Sequence, residues 1–369
     1  MRFVLTGSSL TQFGSIAKAV DADAVQIAYT TDYRDCLLLV ATRECEVLWL
    51  CHPSTADSHG ATTIPAWVLG IDPGALAGTV TVDDEDDGKV TITSPDFQLR
   101  LRKAQYDCKP IAENFEISFT ADNARRFIES IMAVSAVAKA KSQWPCVWVN
   151  VGQDNTAQIV ARDNTILTWT PYPAVCGKQP MDRSERKLSV QIPLHVCRLL
   201  KAIIGNIDGP LSIGIVRQGD KDAVQIFAGA YRIAFTCPFV LCPNYAPLFS
   251  KFNHDNAAEA IRDKLLKRLG QVGNPTKDTN VWLGVANGEV LMEYAGDPPK
   301  PRPNGWQSAA IFSSRYLSDV LRASRSYTIK VWIPDAVSDA VITDGLMMTI
   351  LMPRYKKEWQ ACQAEAVAD

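Results

Sequence analysis

Several features that would assign a chemistry at once are missing from these 369 residues. No window holds 18 uninterrupted apolar residues, which excludes an ordinary membrane-spanning helix. The opening stretch, MRFVLTGSSL, has one positive charge and no long apolar core. It does not read as a secretory leader, so the expected compartment is the cytoplasm. There is no Gly-Lys-Ser/Thr phosphate loop, so ATP chemistry is not expected. Ten cysteines occur without one CxxC pair. Most sit in apolar runs such as CVWVNV and CLLLVA, which reads as core packing in a reducing compartment. Cys237 and Cys242 flank an apolar PFVL segment, but no second Cys/His pair at ligand spacing accompanies them. No metal and no cofactor are therefore expected. Net charge is only −2, so any nucleic-acid contact must come from local patches.

No catalytic set stands out either. His195 and Cys197 are two apart on a predicted helix and point to different faces, so they form no direct dyad. The acidic run at 83–88, DDEDDG, lies between strands and reads as a turn. A cysteine-dependent α+β hydrolase would need a thiol of low pKa.

What is present is a long, ordinary globular composition, 47% apolar and 21% charged, in a chain of a length that fits two to four domains. Strand patterns dominate: MRFVLT, AVQIAYT, CLLLVAT, EVLWLC, TVTV, KVTIT and FQLRLR run through the first hundred residues. Helical patterns are fewer and fall at 8–20, 121–142, 194–205, 255–270 and 314–326. The second segment places Phe127, Ile128, Ile131, Met132, Val134 and Val137 at helical spacing. Glycines end the third and fourth. These elements recur. A first strand leads into a helix near 8, 121 and 255. An extended lead-in precedes a second helix near 62, 190 and 310, and strands with a polar turn follow each. Three α+β units are expected, at 1–115, 116–247 and 248–369, with a C-terminal extension over 356–369. The second helix of the first unit is poor, because Gly70, Pro73 and Gly74 interrupt it.

The four later helical segments carry thirteen basic residues against six acidic ones. That is +7, in a chain of net −2, which leaves −9 for the remainder. One such helix is commonly a solvated face. Four sharing the bias point to an electropositive surface suited to a phosphate backbone without base readout.

Three stretches then go beyond the generic: GATTIPAWVL at 60–69, FSSRYLSDVLRA at 312–323 with IPDAVSDAVITDG at 333–345, and TILMPRY at 349–355. In this order and spacing, with MRFVL at the start and CPFVLCPNYAPLF at 237–249, the chain resembles the bacterial β sliding clamp. The resemblance implies an α+β fold of three repeated clamp domains, helices lining a channel and sheets outside. It also implies a head-to-tail homodimeric ring around duplex DNA. Such a protein is not an enzyme. It is a processivity factor whose partners are duplex DNA, a replicative DNA polymerase, a clamp loader and a second copy of itself, with no membrane. By position, the peptide-binding pocket implied is Leu167, Pro243, Leu248, Tyr316, Val337, Ile350, Met352, Pro353 and Arg354. The DNA-facing residues implied are Arg125, Lys139, Lys141, Gln143, Trp144, Arg198, Lys201, Lys264 and Arg322. Phe97 and Leu99 on the FQLRLR edge, with Leu266 and Leu269 at the end of the third unit's first helix, are the implied dimer contacts; the last two also read as core. The alternative for Ile350 and Met352 is that they are ordinary inward-facing strand residues.

One departure stands out. Where the family shows a Thr-Asp-Gly-His-Arg-like turn, this chain has Arg162-Asp163-Asn164-Thr165-Ile166-Leu167. Only Asn164 is left to tolerate a positive φ there. The tail also runs on past the family's usual end and carries Trp359, a residue able to fold back. A clamp-like regulator that binds polymerase or loader peptides without encircling DNA is the alternative function.

Overall fold

A computed structural model of the chain describes residues 1–19, 21–30, 33–41, 45–51, 55–56, 60–70, 78–85, 87–104, 117–138, 145–152, 156–163, 165–172, 175–178, 188–218, 221–238, 245, 249, 252, 256–297, 299–336 and 338–354. These form two compact units, Met1–Glu129 with Ala174–Val240, and Ser130–Pro173 with Leu241–Asp369.

Along the chain the order of elements repeats three times. The strands Arg2–Thr6, Ile117–Ala121 and Ala258–Ile261 lead into helices α1 (Gly7–Ala19), α2 (Ala124–Ser135) and α4 (Arg262–Val272). The strands Gly60–Pro65, Leu188–Pro193 and Ser308–Ser313 lead into a 3-10 turn (Ala66–Gly70), α3 (Leu194–Ile203) and α5 (Ser314–Ala323). Three strands follow each of these second helices, ending at Arg102, Pro238 and Leu351. The repeated α+β reading therefore holds at the level of element order.

In the first unit a nine-stranded antiparallel sheet runs from Val175–Lys178 through Ile117–Ala121 to Gly60–Pro65. A smaller sheet has the order Thr55–Ala56, Arg2–Thr6, Thr79–Asp84, Lys89–Thr93, Gln98–Arg102. α1 is capped by Thr6, whose Oγ1 accepts from the Ser9 amide at 3.3 Å. It buries Leu10, Phe13, Ile16 and Ala17. The expected second helix of this region is only the 3-10 turn, which packs on α1. Its Leu69 carbonyl sits 2.4 Å from where a Cβ on Gly14 would be, so glycine in mid-helix permits the approach.

In the second unit seven antiparallel strands lie in the order Cys146–Val151, Ala157–Arg162, Ile166–Tyr172, Met348–Leu351, Ala340–Thr343, Thr328–Trp332, Ala258–Ile261. A three-stranded sheet, Glu289–Tyr294, Asn280–Ala286, Ser308–Ser313, lies in the same unit. α4 and α5 pack on each other. α5 begins at a Ser313 cap that accepts from the Tyr316 amide.

Two helix boundaries differ from expectation. The segment expected over 255–270 is a strand at Ala258–Ile261 and a helix only from Arg262, which continues past Gly270. Ala and Glu favour helix, but backbone pairing with Thr328–Trp332 prevails, with Glu259 opposite Lys330 and their side chains 3.6 Å apart. Of the segment expected over 121–142, the helix among the described residues is Ala124–Ser135.

The three-stranded sheet carries a close-packed cluster of Trp282, Ala286, Ala295, Trp306, Ala309 and Ile311. Trp306 lies directly on Gly284, where an added Cβ would meet its ring at 2.1 Å and the Ser308 carbonyl at 2.6 Å. Gly284→Ala is expected to displace the indole and destabilise the chain by about 1–3 kcal/mol. Urea unfolding checks this, and an unchanged midpoint would contradict the packing.

Candidate functional site

The late apolar segment forms a strand, a turn and a strand, Ala340–Thr343 and Met348–Leu351. Asp344 organises the turn: its Oδ1 accepts from the amides of Leu346 and Met347 at 3.0 and 2.7 Å, and its Oδ2 from Arg325 at 2.7 Å. Gly345 takes φ 86°, a conformation natural to glycine. The second strand is not an uncovered edge. It lies between Ile166–Tyr172 and Ala340–Thr343, with Leu167 opposite Ile350 and Trp169 opposite Met348.

Alternation divides this strand's side chains between two faces. Thr349 and Leu351 are fully buried, and the Thr349 and Thr168 hydroxyls are bonded at 3.1 Å. The other face is a continuous apolar row read off the ladder. Trp148 pairs with Val160, Val160 with Trp169, Trp169 with Met348, Ile350 with Val341, and Val341 with Trp332. Trp148, Val160, Leu167, Val341 and Ile350 are buried in this cluster together with Cys146 and Phe252. Trp169, Met348, Trp332, Tyr245 and Phe249 pack against it and remain half-exposed. Trp169 and Phe249 are 5.4 Å apart between ring centroids, and Phe252 meets Trp332 edge-on at 5.9 Å.

The expected pocket residues divide accordingly. Leu167 and Ile350 lie on this row and are mostly buried. Met352, at the strand's end, is 39% exposed, and its amide donates to the Thr165 carbonyl at 2.9 Å. Pro353 is buried and Tyr316 half-buried. Arg354 has a structural engagement. Its amide donates to the Ile311 carbonyl at 2.7 Å, and its guanidinium donates to Asn280 Oδ1 at 2.7 Å and to the Asp278 carboxylate. It pins the strand's end to the three-stranded sheet. Pro243, Leu248 and Val337 lie outside the described residues, as do Asn164 and Trp359. The hairpin that carries Asn164 does form, with Arg162 paired to Leu167 and the Asp163 amide bonded to the Ile166 carbonyl at 2.8 Å. Trp169, Trp332 and Met348 were absent from the sequence reading. The alternation in ILTWT was the available signal, but only the ladder shows that these residues align.

Across the five helices there are eleven basic residues and three acidic ones, Glu129, Asp263 and Asp319. Every basic side chain but Arg262 is exposed. In the first unit these are Lys18, Arg125, Arg126, Arg198 and Lys201. Arg198 and Lys201 share the face of α3 opposite its buried Val196, Leu199, Leu200 and Ile203. Arg125 reaches the Gly205 carbonyl at 3.5 Å. In the second unit they are Lys264, Lys267, Arg268, Arg315 and Arg322. Arg262 is half-buried and donates to the Ser324 carbonyl at 2.8 Å. Lys139, Lys141, Gln143 and Trp144 lie outside the described residues.

The strand Gln98–Arg102 ends its sheet, with no partner on its outer side among the described residues. Phe97 and Leu99 are half-buried, while Arg100 and Arg102 are exposed. Leu266 is half-buried, but Leu269 is 1% exposed and belongs to the core of its own unit, which corrects its assignment to an interface. It faces inward with Leu265 on the buried stripe of α4. An edge not foreseen is Glu289–Tyr294, which ends the three-stranded sheet and exposes Glu289, Glu293 and Tyr294.

Near the acidic run, Arg100 donates through Nε to Glu85 Oε2 at 2.9 Å, and Lys89 bonds Asp87 at 2.6 Å. Hydrogen bonds from Thr91 and then Arg100 hold the Glu85 carboxyl below its ordinary range. Glu85 and Asp87 are thus each paired with a cation. His195 is half-buried, whereas Cys197 is buried on the other side of α3. Cys146 and Cys237 are buried too, and burial pushes the Cys237 thiol up to about 11, the reverse of an activated nucleophile. Iodoacetamide at pH 8 is therefore expected to spare these three cysteines in the native protein and label them in urea, as read by peptide mapping. Rapid native labelling of any of them would contradict their packing.

No protein-family model matches the chain, and no curated protein matches it in sequence. The fold does match known structures. A DNA polymerase III beta-subunit sliding clamp from Bartonella birtlesii, bound to griselimycin, aligns at TM-score 0.75 and 17% identity over 96% of this chain and 99% of that one. A sliding clamp from Pseudomonas aeruginosa gives 0.74 and 18% over the same shares. The Helicobacter pylori beta clamp bound to a DNA ligase peptide gives 0.73 and 12%, again over 96% and 99%. With its strand–helix order repeated three times and this near end-to-end alignment, the chain resembles the bacterial DNA polymerase III β sliding clamps and has their fold, at a sequence distance that makes it divergent.

Proposed function

We propose that the chain is a DNA sliding clamp, a non-enzymatic processivity factor built of domains 1–115, 116–247 and 248–369. The observation that carries this reading is the exposure of all but one of the eleven basic side chains on the five helices of a clamp fold. Apolar stripes hold each helix down while its cations stay in solvent, where they bind phosphates without reading sequence. Arg125, Arg198, Lys201, Lys264 and Arg322 belong to that surface, joined by Lys139, Lys141, Gln143 and Trp144. Two copies close head to tail, the edge Gln98–Arg102 of one meeting the edge Glu289–Tyr294 of the other, with Phe97, Leu99 and Leu266 as apolar contacts. Pairing two free edges removes the aggregation hazard that each carries alone.

Enzymes are recruited by peptides docked on the half-exposed face of the second unit and at the strand end, through Leu167, Pro243, Leu248, Tyr316, Val337, Ile350, Met352 and Pro353, with Trp169 and Trp332 adding area. Methionine and aromatic side chains suit a surface that accepts several sequences. One short peptide there is expected to bind near the micromolar scale, about −8 kcal/mol. A replicative polymerase and a clamp loader are the partners this reading requires, and the ligase peptide on the Helicobacter clamp is a ready probe.

Retention on DNA after loading tests the ring. The protein, running near twice 40.5 kDa, is expected to stay on circular duplex at high salt and to leave once the circle is linearised. Equal loss from both would mean simple electrostatic binding and favour a regulator that does not encircle DNA. For the pocket, Met352→Ala is expected to weaken a ligase-type peptide about tenfold while leaving the thermal midpoint unchanged. Wild-type affinity in that variant, measured by fluorescence polarisation, would remove Met352 from the site.

A further inference from the structure

One side chain on the helical face of the first unit is not explained by attraction to phosphates. Trp67 is 61% exposed, although its neighbours Ala66, Val68 and Leu69 in the same 3-10 turn are buried. The turn is held rigidly, with Leu69 seated over Gly14 of α1. The exposed stripe of α1 is Ser8, Ser15 and Lys18. Gly14 and Gln12 are two residues apart, about 200° around the helix, so they lie on opposite flanks of that stripe. Gln12 bonds the Tyr231 hydroxyl, which also bonds Asn206 just beyond α3. α1 and α3 pack together. The turn and α3 therefore lie on opposite sides of α1. Trp67 stands on one flank, Arg198 and Lys201 on the other, and Lys18 between them.

An exposed indole on an element that flanks the cation-bearing helices α1 and α3 matches one ligand chemistry well. Cations hold a nucleic-acid backbone, and a flat apolar ring stacks on a base. The bases of an intact duplex present no free face within the stack, so stacking requires an unpaired base. We propose that Trp67 is a stacking residue for an unpaired base at a single-strand–duplex junction, with the backbone held by Lys18, Arg198 and Lys201. This rests on the DNA-binding reading above and adds to it a preference for junctions over blunt duplex.

The test compares wild type, Trp67→Ala and Trp67→Phe on short linear duplexes of equal paired length, one blunt and one with a single-stranded overhang, at two salt concentrations. Wild type is expected to favour the overhang about tenfold, Trp67→Ala to lose that preference while binding blunt duplex unchanged, and Trp67→Phe to keep most of it. Equal weakening on both substrates, or no effect on either, overturns the stacking role while leaving DNA binding intact. So does loss of ligase-peptide binding with both DNA affinities unchanged, which would make Trp67 a protein contact. Failure of wild type to bind either DNA would instead sink the DNA reading beneath it. Circular dichroism of the variants, together with their blunt-duplex affinity, controls for folding.

Discussion

The pairing of Met348–Leu351 with Ile166–Tyr172 is the interaction on which the second unit depends. It joins segments about 180 residues apart into one sheet, sealed by the buried Thr168–Thr349 bond. Backbone hydrogen bonds fix the register, and register fixes which face each side chain takes. A slip by one residue would send Ile350 and Met348 to the fully buried side and bring Thr349 and Leu351 to the aromatic row. The aromatic face is thus a consequence of register as much as of composition. Arg354 guards it by tying the strand's end to Asp278 and Asn280.

The same division of labour governs the helices. Each carries an apolar stripe that packs inward, and that packing leaves every arginine and lysine but Arg262 in solvent. The charge is a passive result of amphipathicity, yet it accumulates: the helices are positive in a chain whose total is −2. Edges follow a similar logic. Gln98–Arg102 and Glu289–Tyr294 each end a sheet among the described residues, and both expose charged side chains, which discourages uncontrolled edge pairing.

Much of this was legible beforehand. The helical stripe of Phe127, Ile128, Ile131 and Val134 is buried as its spacing implies, and the strand-turn-strand at 340–351 formed around Asp344 and Gly345. Other readings failed for definite reasons. Ala258–Ile261 has helix-favouring residues, but an available sheet edge outweighed local preference of a few tenths of a kcal/mol per residue. Leu269 looked available because periodicity shows that a helix has an apolar side, not what covers it. Trp169, Trp332 and Met348 went unnoticed because their alignment depends on pairing between distant strands.

By itself the sequence determined the repeated order of strands and helices, the cationic bias of those helices and the position of the tight turns, because each depends on spacing within a few residues. Only the tertiary structure decided that the late apolar strand is interior, that a row of aromatics crosses the sheet beside it, that Arg354 is a tether and that Trp67 stands exposed. Those properties arise where segments far apart in the chain meet, and no local pattern encodes which surfaces such meetings cover.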